Sequence, residues 1–528
     1  MSDLITISQA IQFVSELTTK KVTESNISYL IQYGRIDKFE KDGFVCVDKE
    51  QLINYYHSIN TKKEMEWKDK LGDDINWKLS FDEYKEAETT KHVHRLHPYK
   101  GKFIPQLVEY FLDNHIDSFK KEVYFQPNDI VLDPFCGSGT TLVQANELGI
   151  HAVGVDISVY NAQISNSKIG IYNLFELQKI TNYITSELEK YEKTLNITHF
   201  EKELLEELYN FNAIYFPSPE YKKKVYNKEI IEKQYAEEKS QLFLPIYEKL
   251  VEKYNISTQI SNQSFLDKWY FETTRKEIYF VNELINLIED ENIKHLLQVI
   301  LSRTMRSCRA TTHSDLATLV NPVCTTYYCS KHKKICKPLF SILKWWKSYC
   351  KDTITRIEIF NKVRTDTKQH CFVADSSSID IEKCVYSMGD DITKEYKKKK
   401  IKGIFCSPPY VGLIDYHEQH AYAYDLFHFE RQDEQEIGSL KKGHTKAAQQ
   451  KYIDDISAVL INCKKYLTQD YEIFIVANDK FGLYEKIAEN ADMVIVEQFK
   501  RPVLNRTEKD KNAYSELVYR MKEKNYDK

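Results

Sequence analysis

The chain has 528 residues, about three times the usual size of one domain, so we expect roughly two to four domains. Hydrophobic residues make up 42% and charged residues 29%, a balance that excludes wholesale disorder. With 15 glycines and 12 prolines, the chain is too poor in both for a collagen-like or linker-dominated architecture. The formal net charge of -4 excludes a uniformly basic nucleic-acid-binding protein but is compatible with a basic cleft.

Neither targeting nor membrane signals stand out in the sequence. The N-terminus lacks a basic stretch followed by an apolar core, and no run of apolar residues is long enough to cross a membrane. The 11 cysteines are an odd number in a long chain without a secretory signal, which favours reduced thiols. We therefore expect a cytoplasmic protein with no membrane contact.

Residues 1–60 are predicted to form a small unit of their own. The apolar residues of ISQAIQFVSELT recur at helical spacing, with its serine as a cap. A second helix follows, with Thr23 or Ser25 as its N-cap and Gly34 at its end. A strand and a third helix complete an order that resembles a helix-turn-helix of the excisionase or MerR-like kind. One interpretation is DNA contact through Ser25 to Tyr33, with phosphates near Lys20, Lys21, Arg35 and Lys38. The other is a small helical unit that docks onto protein.

After a charged linker at residues 61–90, the pattern becomes that of an α/β protein. Asn128 and Asp129 mark a turn into the apolar strand IVL, helical periodicity runs from Thr140 to Gly149, and HAVGVDI is a second strand ending in an acid. A strand, a glycine-rich turn, a helix and a strand with a terminal acid make up half of a doubly wound nucleotide-binding sheet. Residues 91–165 are therefore predicted to be the first part of the core.

Residues 166–370 are predicted to be a large, mainly helical insertion in this sheet. They hold long stretches rich in Lys, Glu and Tyr, followed by clustered Cys, His and Trp. Beyond them, FVADSS, IKGIFC, YEIFIVAND and ELVYRMK each predict a further strand. The second part of the core is thus expected at residues 371–528, with target recognition in the insertion.

The first chemical motif is the turn from Asp133 to Thr141, DPFCGSGTT. Gly137 and Gly139 let the backbone bend and let a ligand approach, and the following helix N-terminus favours a negatively charged group. A dinucleotide fingerprint needs a third glycine and a P-loop needs a GK[ST] sequence, and both are missing here. A nucleoside that carries an amino acid fits better, with its ribose diol on Asp156.

The second motif is Ser407-Pro408-Pro409-Tyr410, directly after an apolar strand. The prolines restrict the backbone, so a hydroxyl and a carbonyl are held ready to accept hydrogen bonds from a planar amine, while the tyrosine ring can stack on its heterocycle. An isolated Pro-Pro-Tyr is more often a surface turn or a partner motif. Its position after a buried strand favours a pocket.

The segments HPYKGKFIPQLV, DPFCGSGTT, GVDIS and SPPY together resemble the motifs of the amino-methyltransferases that modify exocyclic nitrogens of DNA bases, N4 of cytosine or N6 of adenine. The resemblance covers residues 91–165 and 370–520. It implies a Rossmann-like sheet that binds S-adenosyl-L-methionine (SAM), double-stranded DNA as substrate, and a cognate restriction endonuclease encoded elsewhere as a partner. It also implies a final strand at Ala513 to Lys522, preceded by a loop from Arg501 to Arg506.

The resemblance also assigns site residues. SAM is expected to contact three groups of residues: His97, Pro98, Tyr99, Lys102 and Phe103 at the methionine; Asp133, Pro134, Phe135, Cys136, Gly137, Ser138, Gly139 and Thr140 in the turn; and Asp156, Ile157 and Asp375 at the nucleoside. Ser407, Pro408, Pro409 and Tyr410 match the catalytic loop, which would receive a base flipped out of the duplex.

The serine of the second motif favours cytosine over adenine. In the family, N4-cytosine enzymes mostly carry Ser at the position of Ser407, whereas N6-adenine enzymes mostly carry Asp or Asn. N6-adenine methylation, an RNA base amine, and a catalytically silent DNA-binding regulator that keeps the fold are the alternatives. No convincing nuclease signature accompanies these motifs.

Other polar clusters have simpler interpretations. Cys324, Cys329, His332 and Cys336, with Cys308 nearby, suit zinc, but their spacing is loose and buried thiols are favoured, so no metal site is predicted. Asp415, His417, Glu418 and His420 lack the HExxH spacing and are expected to make structural or substrate-loop hydrogen bonds. Cys406 is expected to pack in the core. Two interpretations are equally favoured for the basic residues Arg303, Arg306, Arg309 and Lys331 to Lys337: they contact DNA phosphates, or they form a solvent-exposed helix face.

Overall fold

The computed structural model describes residues 3–18, 22–32, 34–41, 43–72, 74–258, 260–261, 263–313, 319–504 and 513–524. The chain divides into two compact units: the first comprises Met1–Asp73, Glu189–Glu277 and Ser307–Ile342, and the second Asp74–Leu188, Ile278–Arg306 and Leu343–Lys528. The predicted insertion contributes segments to both units, and its role in target recognition stays a prediction. Within the described ranges, no helix is long and apolar enough to cross a membrane.

The N-terminal part of the first unit has the predicted order of two helices, a strand and a third helix, with two strands added. Its elements are β1 (Leu4–Thr6), α1 (Ile7–Thr18), α2 (Glu24–Gln32), β2 (Phe39–Lys41), β3 (Phe44–Asp48) and α3 (Lys49–Leu71), and the strands form an antiparallel sheet in the order β1-β3-β2. The predicted serine cap of α1 is wrong. Thr6 caps it instead, because its backbone N–H donates to Gln9 (2.9 Å) while its hydroxyl accepts from the Gln9 backbone (3.3 Å).

The predicted DNA contacts of this region stay a prediction. Arg35 stacks over the ring of Tyr226 in the same unit, at 4.6 Å from the ring centroid. Gly34 has a φ of +66°, as expected at the end of α2. Lys20, Lys21 and Tyr33 lie outside the described residues.

The next part of the chain starts the second unit. Residues 74–194 contain α4 (Glu86–Thr89), α5 (Pro105–Leu112), β4 (Ile130–Asp133), α6 (Thr140–Glu147), β5 (His151–Asp156), α7 (Val159–Ile169) and α8 (Leu174–Thr194). Every residue of β4 and β5 is buried, which agrees with their nearly continuous apolar sequences. The predicted strand, turn, helix and strand are therefore confirmed.

The predicted insertion is mainly helical, as expected. It contains α9 (Ile197–Tyr215), α10 (Glu220–Tyr226), α11 (Glu232–Tyr254), α12 (Phe265–Trp269), α13 (Glu272–Asn286), α14 (Glu291–Ser307), β6 (Tyr327–Cys329), β7 (Lys334–Cys336) and α15 (Leu343–Asn361). Both interpretations of Arg303 are wrong, because it is buried and its guanidinium lies 2.7 Å from the Asp352 carboxylate of α15. That carboxylate compensates the buried charge. Arg309 is also buried.

The C-terminal part completes the core of the second unit. It contains β8 (Gln369–Val373), α16 (Ile381–Ser387), α17 (Asp390–Lys399), β9 (Ile401–Cys406), α18 (Tyr416–Gln419), α19 (Ala421–Phe427), α20 (Lys446–Lys464), β10 (Leu467–Ala477), α21 (Tyr484–Asn490), β11 (Met493–Pro502) and β12 (Ser515–Glu523). Short 3₁₀ helices occur at Trp77–Ser80, His92–Arg95, Asp433–Gln435 and Leu440–Lys442.

A seven-stranded sheet in the order β11-β12-β10-β9-β4-β5-β8 organises this unit. The strands from β10 to β8 pair in parallel, and β12 runs antiparallel to both of its neighbours. The α/β, doubly wound, Rossmann-like fold is therefore as predicted. Because β9, β4, β5 and β8 are adjacent and parallel, the loops that follow them meet at one edge of the sheet.

One strand of the seven-stranded sheet was not predicted. A loop was expected from Arg501 to Arg506, and this prediction is wrong at its start. Arg501 and Pro502 are the last residues of β11, which pairs with β12 from Met493 to Pro502. The first four residues of this segment, Met493 to Val496, form an apolar run typical of a strand. Residues 505–512 lie outside the described residues.

Candidate active site

A cavity opens at the carboxyl edge of the sheet, where the loops after β4, β5, β8 and β9 meet. Many of the predicted residues line it: Tyr99, Lys102, Phe103, Pro134, Phe135, Cys136, Gly137, Ser138, Thr140, Asp156, Ile157, Asp375, Ser407 and Pro409. The two motifs, far apart in sequence, thus share one cavity. A pocket at this position is the usual ligand site of an open α/β sheet.

The turn after β4 depends on two glycines with different tasks. Gly137 has a φ of +51°, and a Cβ there would lie 3.1 Å from the hydroxyl of Tyr99, which lines the cavity. Gly139 has a φ of +72°, and a Cβ there would lie 2.9 Å from the Cβ of Ser165 in α7. Gly139 is not among the lining residues, and its expected place beside the ligand stays a prediction. It is needed for the close approach of α7.

The carboxylate of Asp156, at the end of β5, connects two turns. It accepts hydrogen bonds from the backbone N–H groups of Gly137 (2.7 Å) and Ser158 (2.9 Å) and from the side chain of Asn161 (3.1 Å). Burial raises its pKa to about 6, although these hydrogen bonds act in the opposite direction. Three acceptor positions of the carboxylate are used, and about one more remains for a ligand.

Asp133, also expected to contact the ligand, lies beneath the turn and is not among the lining residues. Its carboxylate accepts from the backbone N–H of Phe135 at 3.1 Å. Burial raises its pKa to about 7. It supports the turn from below.

The segment from His97 to Phe103, which precedes the sheet, also contains both residues that line the cavity and residues that do not. His97 is fully buried and its Nε2 lies 3.2 Å from the hydroxyl of Tyr422. Neither His97 nor Pro98 is among the lining residues. The ammonium group of Lys102 donates to the carbonyl of His94 at 2.7 Å, and burial lowers its pKa to about 8. Tyr99 stacks on Tyr416 with ring centroids 5.7 Å apart.

The loop after β8 closes another side of the cavity. Asp375 accepts from the backbone N–H (2.8 Å) and hydroxyl (2.7 Å) of Ser377, so its carboxylate is held in place. The hydroxyl of Ser376 donates to the carbonyl of Pro134 at 2.6 Å. This bond joins the loop after β8 to the turn after β4.

Three buried polar atoms in the cavity wall have no hydrogen-bond partner within the described part of the chain. They are Ser138 Oγ, Asn161 Oδ1 and Glu436 Oε2. The other oxygen of Glu436 accepts from the backbone N–H of His417 (2.8 Å) and contacts its imidazole. Unpartnered polar atoms of this kind indicate a ligand-binding surface, because leaving each one unpaired costs about 1–3 kcal/mol.

Several residues of this wall were missed in the sequence: Gly101, Ser158, Asn161, Ala374, Ser376, Tyr416, Gln435, Glu436, Ile437 and Val459. Ser158 and Asn161 could have been predicted from the sequence, because they closely follow Asp156. Glu436 sits in a loop without a motif. The expected structural hydrogen bonding of His417 is confirmed, since its Nε2 also accepts from the backbone N–H of Gln432 at 3.2 Å.

The loop after β9 is held in place by side chains of β11 and β12, the two strands at one end of the sheet. The hydroxyl of Tyr410 donates to the carboxylate of Glu516 in β12 at 3.0 Å, and Arg501 of β11 lies 3.4 Å from the same carboxylate. The hydroxyl of Ser407 faces that of Tyr410 at 3.5 Å. Pro408 is buried, and neither it nor Tyr410 is among the lining residues. The Tyr410 ring therefore stands outside the cavity that Ser407 lines.

Cys406 lies beneath this loop. It is fully buried in the core cluster of the sheet, and burial raises the pKa of its thiol well above the usual value. Its expected packing role is confirmed.

Comparison with known proteins agrees with these features. A family model described as DNA methylase, of the N6/N4 type, matches residues 18–167. The chain is 46% identical to the type II methyltransferase M.MjaII of Methanocaldococcus jannaschii over 524 residues, 98% of this chain and 97% of that protein. It is also 31% identical to M.MvaI of Kocuria varians over 102 residues, 19% of this chain and 21% of that one. M.BsoBI of Geobacillus stearothermophilus is 36% identical over 96 residues, 18% of this chain and 17% of that one.

The close approach of α7 to Gly139 can be tested against a matched glycine. Gly139→Ala and Gly482→Ala both place a side chain at a positive φ, but nothing lies within 4 Å of a Cβ at Gly482. Each should lose about 1–2 kcal/mol from backbone strain, and Gly139→Ala should lose a further 1–3 kcal/mol or so from overpacking. Urea unfolding measures both. Equal losses would contradict the assigned role of Gly139.

Burial of Asp133 predicts a pH dependence. Its folded pKa is raised from 3.8 to about 7, so the folded state keeps a proton that the unfolded state releases. This group therefore makes the free energy of unfolding fall as pH rises from about 4 to about 7. Asp133→Asn removes that slope, so the variant should gain stability relative to wild type over this range. Unfolding curves across pH would contradict the assignment if the difference were constant.

Proposed function

The chain belongs to the type II DNA methyltransferases of the N6/N4 amino-methyltransferase family, and on that premise we propose that it methylates N4 of cytosine in double-stranded DNA. Enzymes of this family use SAM, which supplies the methyl group on a positively charged sulfur. The observation that carries the proposal is the shared cavity, which Ser407 and Pro409 line together with Gly137 and Asp156. A cofactor bound there would lie next to the loop proposed to bind the amine.

The polar groups of the cavity wall suit SAM. We infer that Ser138 Oγ donates to its carboxylate, and that Asn161 Oδ1 and Glu436 Oε2 accept from its ammonium or hydroxyl groups. These three atoms are buried and lack partners within the described part of the chain, so the ligand would satisfy them.

The nucleoside end of the ligand is assigned to the two aspartates that line the cavity. Asp156 would use its remaining acceptor position for a ribose hydroxyl, and Asp375 would lie beside the adenine. Both carboxylates are already oriented by hydrogen bonds from their own loops. Groups oriented in advance bind with less loss of conformational freedom.

The acceptor side is assigned to the loop from Ser407 to Tyr410. The hydroxyl of Ser407 and the carbonyl of Pro408 would accept hydrogen bonds from the amino group of a flipped base, and the ring of Tyr410 would stack on it. The contact of Tyr410 with Glu516 holds this ring outside the cofactor cavity. The chain's contribution to the reaction is therefore the positioning of the amine.

The choice of cytosine is supported by Ser407, which matches the residue most common in N4-cytosine enzymes. N6-adenine methylation is the second candidate, because both bases present an amine beside a ring nitrogen. The restriction endonuclease partner and the cytoplasmic location stay predictions.

Product analysis tests this proposal. The full chain is incubated with SAM and unmethylated DNA, and the DNA is digested to nucleosides for mass spectrometry. We expect N4-methyldeoxycytidine. N6-methyldeoxyadenosine as the sole product would overturn the choice of base, and DNA that stays unmethylated while SAM binds would favour the catalytically silent regulator.

A pair of substitutions at Tyr410 separates stacking from loop anchoring. Tyr410→Ala removes a stacking surface worth about 1–3 kcal/mol, so kcat/KM for DNA should fall about 5- to 150-fold. Tyr410→Phe keeps the ring but loses the hydrogen bond to Glu516 and should fall less. SAM affinity, measured by calorimetry, should stay close to wild type in both. An equal loss of SAM affinity would place Tyr410 in the cofactor pocket.

A further inference from the structure

Four potential metal ligands converge in the first unit, far along the chain from the methyltransferase motifs. One ligand atom from each of His313, Cys329, His332 and Cys336 lies within 4.8 Å of the others. Cys308 and Cys324, which the sequence offered as ligands, are not in this group. His313 takes the fourth place, which sequence spacing did not reveal.

One distance within the group matches tetrahedral zinc. His332 Nδ1 lies 3.6 Å from Cys336 Sγ. With zinc–sulfur bonds of about 2.3 Å and zinc–nitrogen bonds of about 2.0–2.1 Å, the tetrahedral angle places a nitrogen and a sulfur ligand about 3.5–3.6 Å apart. The two side chains are therefore separated as two ligands of one ion would be.

Neighbouring groups orient the ligands, as they do in metal sites. The backbone N–H of His332 donates to Cys329 Sγ at 3.4 Å. The hydroxyl of Tyr327 lies 2.8 Å from His313 Nδ1, and this contact fixes the plane of the ring. The thiol of one ligand and the imidazole of another are thus held by their surroundings.

The backbone brings three of the ligands together in a short hairpin. Cys329 ends β6, Cys336 ends β7, and His332 lies in the turn between them. Lys333 has a φ of +56° and its N–H donates to the carbonyl of Cys329 at 2.7 Å, which closes the turn tightly. Since each strand has three residues, the hairpin is too short to be stable by itself.

The hairpin is also attached to the helical part of its unit. The side chain of Asn212 in α9 donates to the carbonyl of Ile335 (3.0 Å) and accepts from its N–H (2.9 Å). The ammonium of Lys333 lies 2.6 Å from the Glu232 carboxylate of α11. These contacts attach the hairpin to α9 and α11, and both of its cysteines are buried.

We propose that His313, Cys329, His332 and Cys336 bind one Zn²⁺ in a closed, structural site. Two sulfur and two nitrogen ligands in a tetrahedral arrangement select zinc over the hard cations, which prefer oxygen. Four protein ligands leave no open position, so the ion would fix the hairpin and take no part in methyl transfer. The proposal is independent of the assigned reaction.

Metal analysis of the full chain tests it, with a neighbouring cysteine as the matched control. The protein is purified without chelators or an affinity tag that binds metal, and zinc is measured by inductively coupled plasma mass spectrometry. We expect about one zinc per chain in wild type and in Cys324→Ser, and a loss of at least about tenfold in Cys329→Ser and Cys336→Ser.

Cobalt substitution keeps the proposal testable if the cysteine variants fail to fold. Wild type and Cys324→Ser loaded with Co²⁺ should show the intense visible absorption of tetrahedral, thiolate-bound cobalt, and His313→Ala should weaken Co²⁺ binding. Wild type that holds no metal after incubation with zinc chloride and desalting would overturn the proposal. So would a disulfide between Cys329 and Cys336 in the intact mass of the native protein, or zinc loss confined to Cys324→Ser.

Discussion

The carboxylate of Asp156 accepts backbone hydrogen bonds from Gly137 and Ser158, and this one buried group fixes the turns after two adjacent strands. Those turns form one wall of the cavity, and the hydroxyl of Ser376 joins the loop after β8 to the same wall. The parallel arrangement of β9, β4, β5 and β8 makes this possible, because it brings all four loops to one edge. The cavity is therefore a consequence of strand order and of one hydrogen-bonded acid.

The acceptor side depends on a separate set of interactions. Tyr410 is anchored on Glu516 of β12, and Arg501 of β11 lies beside that carboxylate. These strands are at the opposite end of the sheet from β5, so different parts of the fold hold the two proposed halves of the site. Substitutions on one side should then leave binding on the other side intact. This separation agrees with a reaction in which positioning of two substrates is the main contribution of the protein.

The features that depend on local sequence pattern were predicted correctly. The strand–turn–helix–strand unit, the interrupted sheet and most of the lining residues followed from apolar runs, turn glycines and motif resemblance. Contacts between distant segments were not predictable in this way. His97, Pro98, Asp133 and Gly139 were expected at the ligand, yet Gly139 serves the packing of α7, and Asp133 supports the turn from beneath. Glu436 and His313 carry no motif, and only the folded chain brings them to their clusters.

We propose that the cavity beside Asp156 holds the cofactor. A crystal structure of the full chain with S-adenosyl-L-homocysteine tests it most directly. The ligand should lie in this cavity, with its polar groups within about 3.2 Å of Ser138 Oγ, Asn161 Oδ1 and Glu436 Oε2. A ligand bound elsewhere, or one that leaves all three atoms without a partner, would contradict the account.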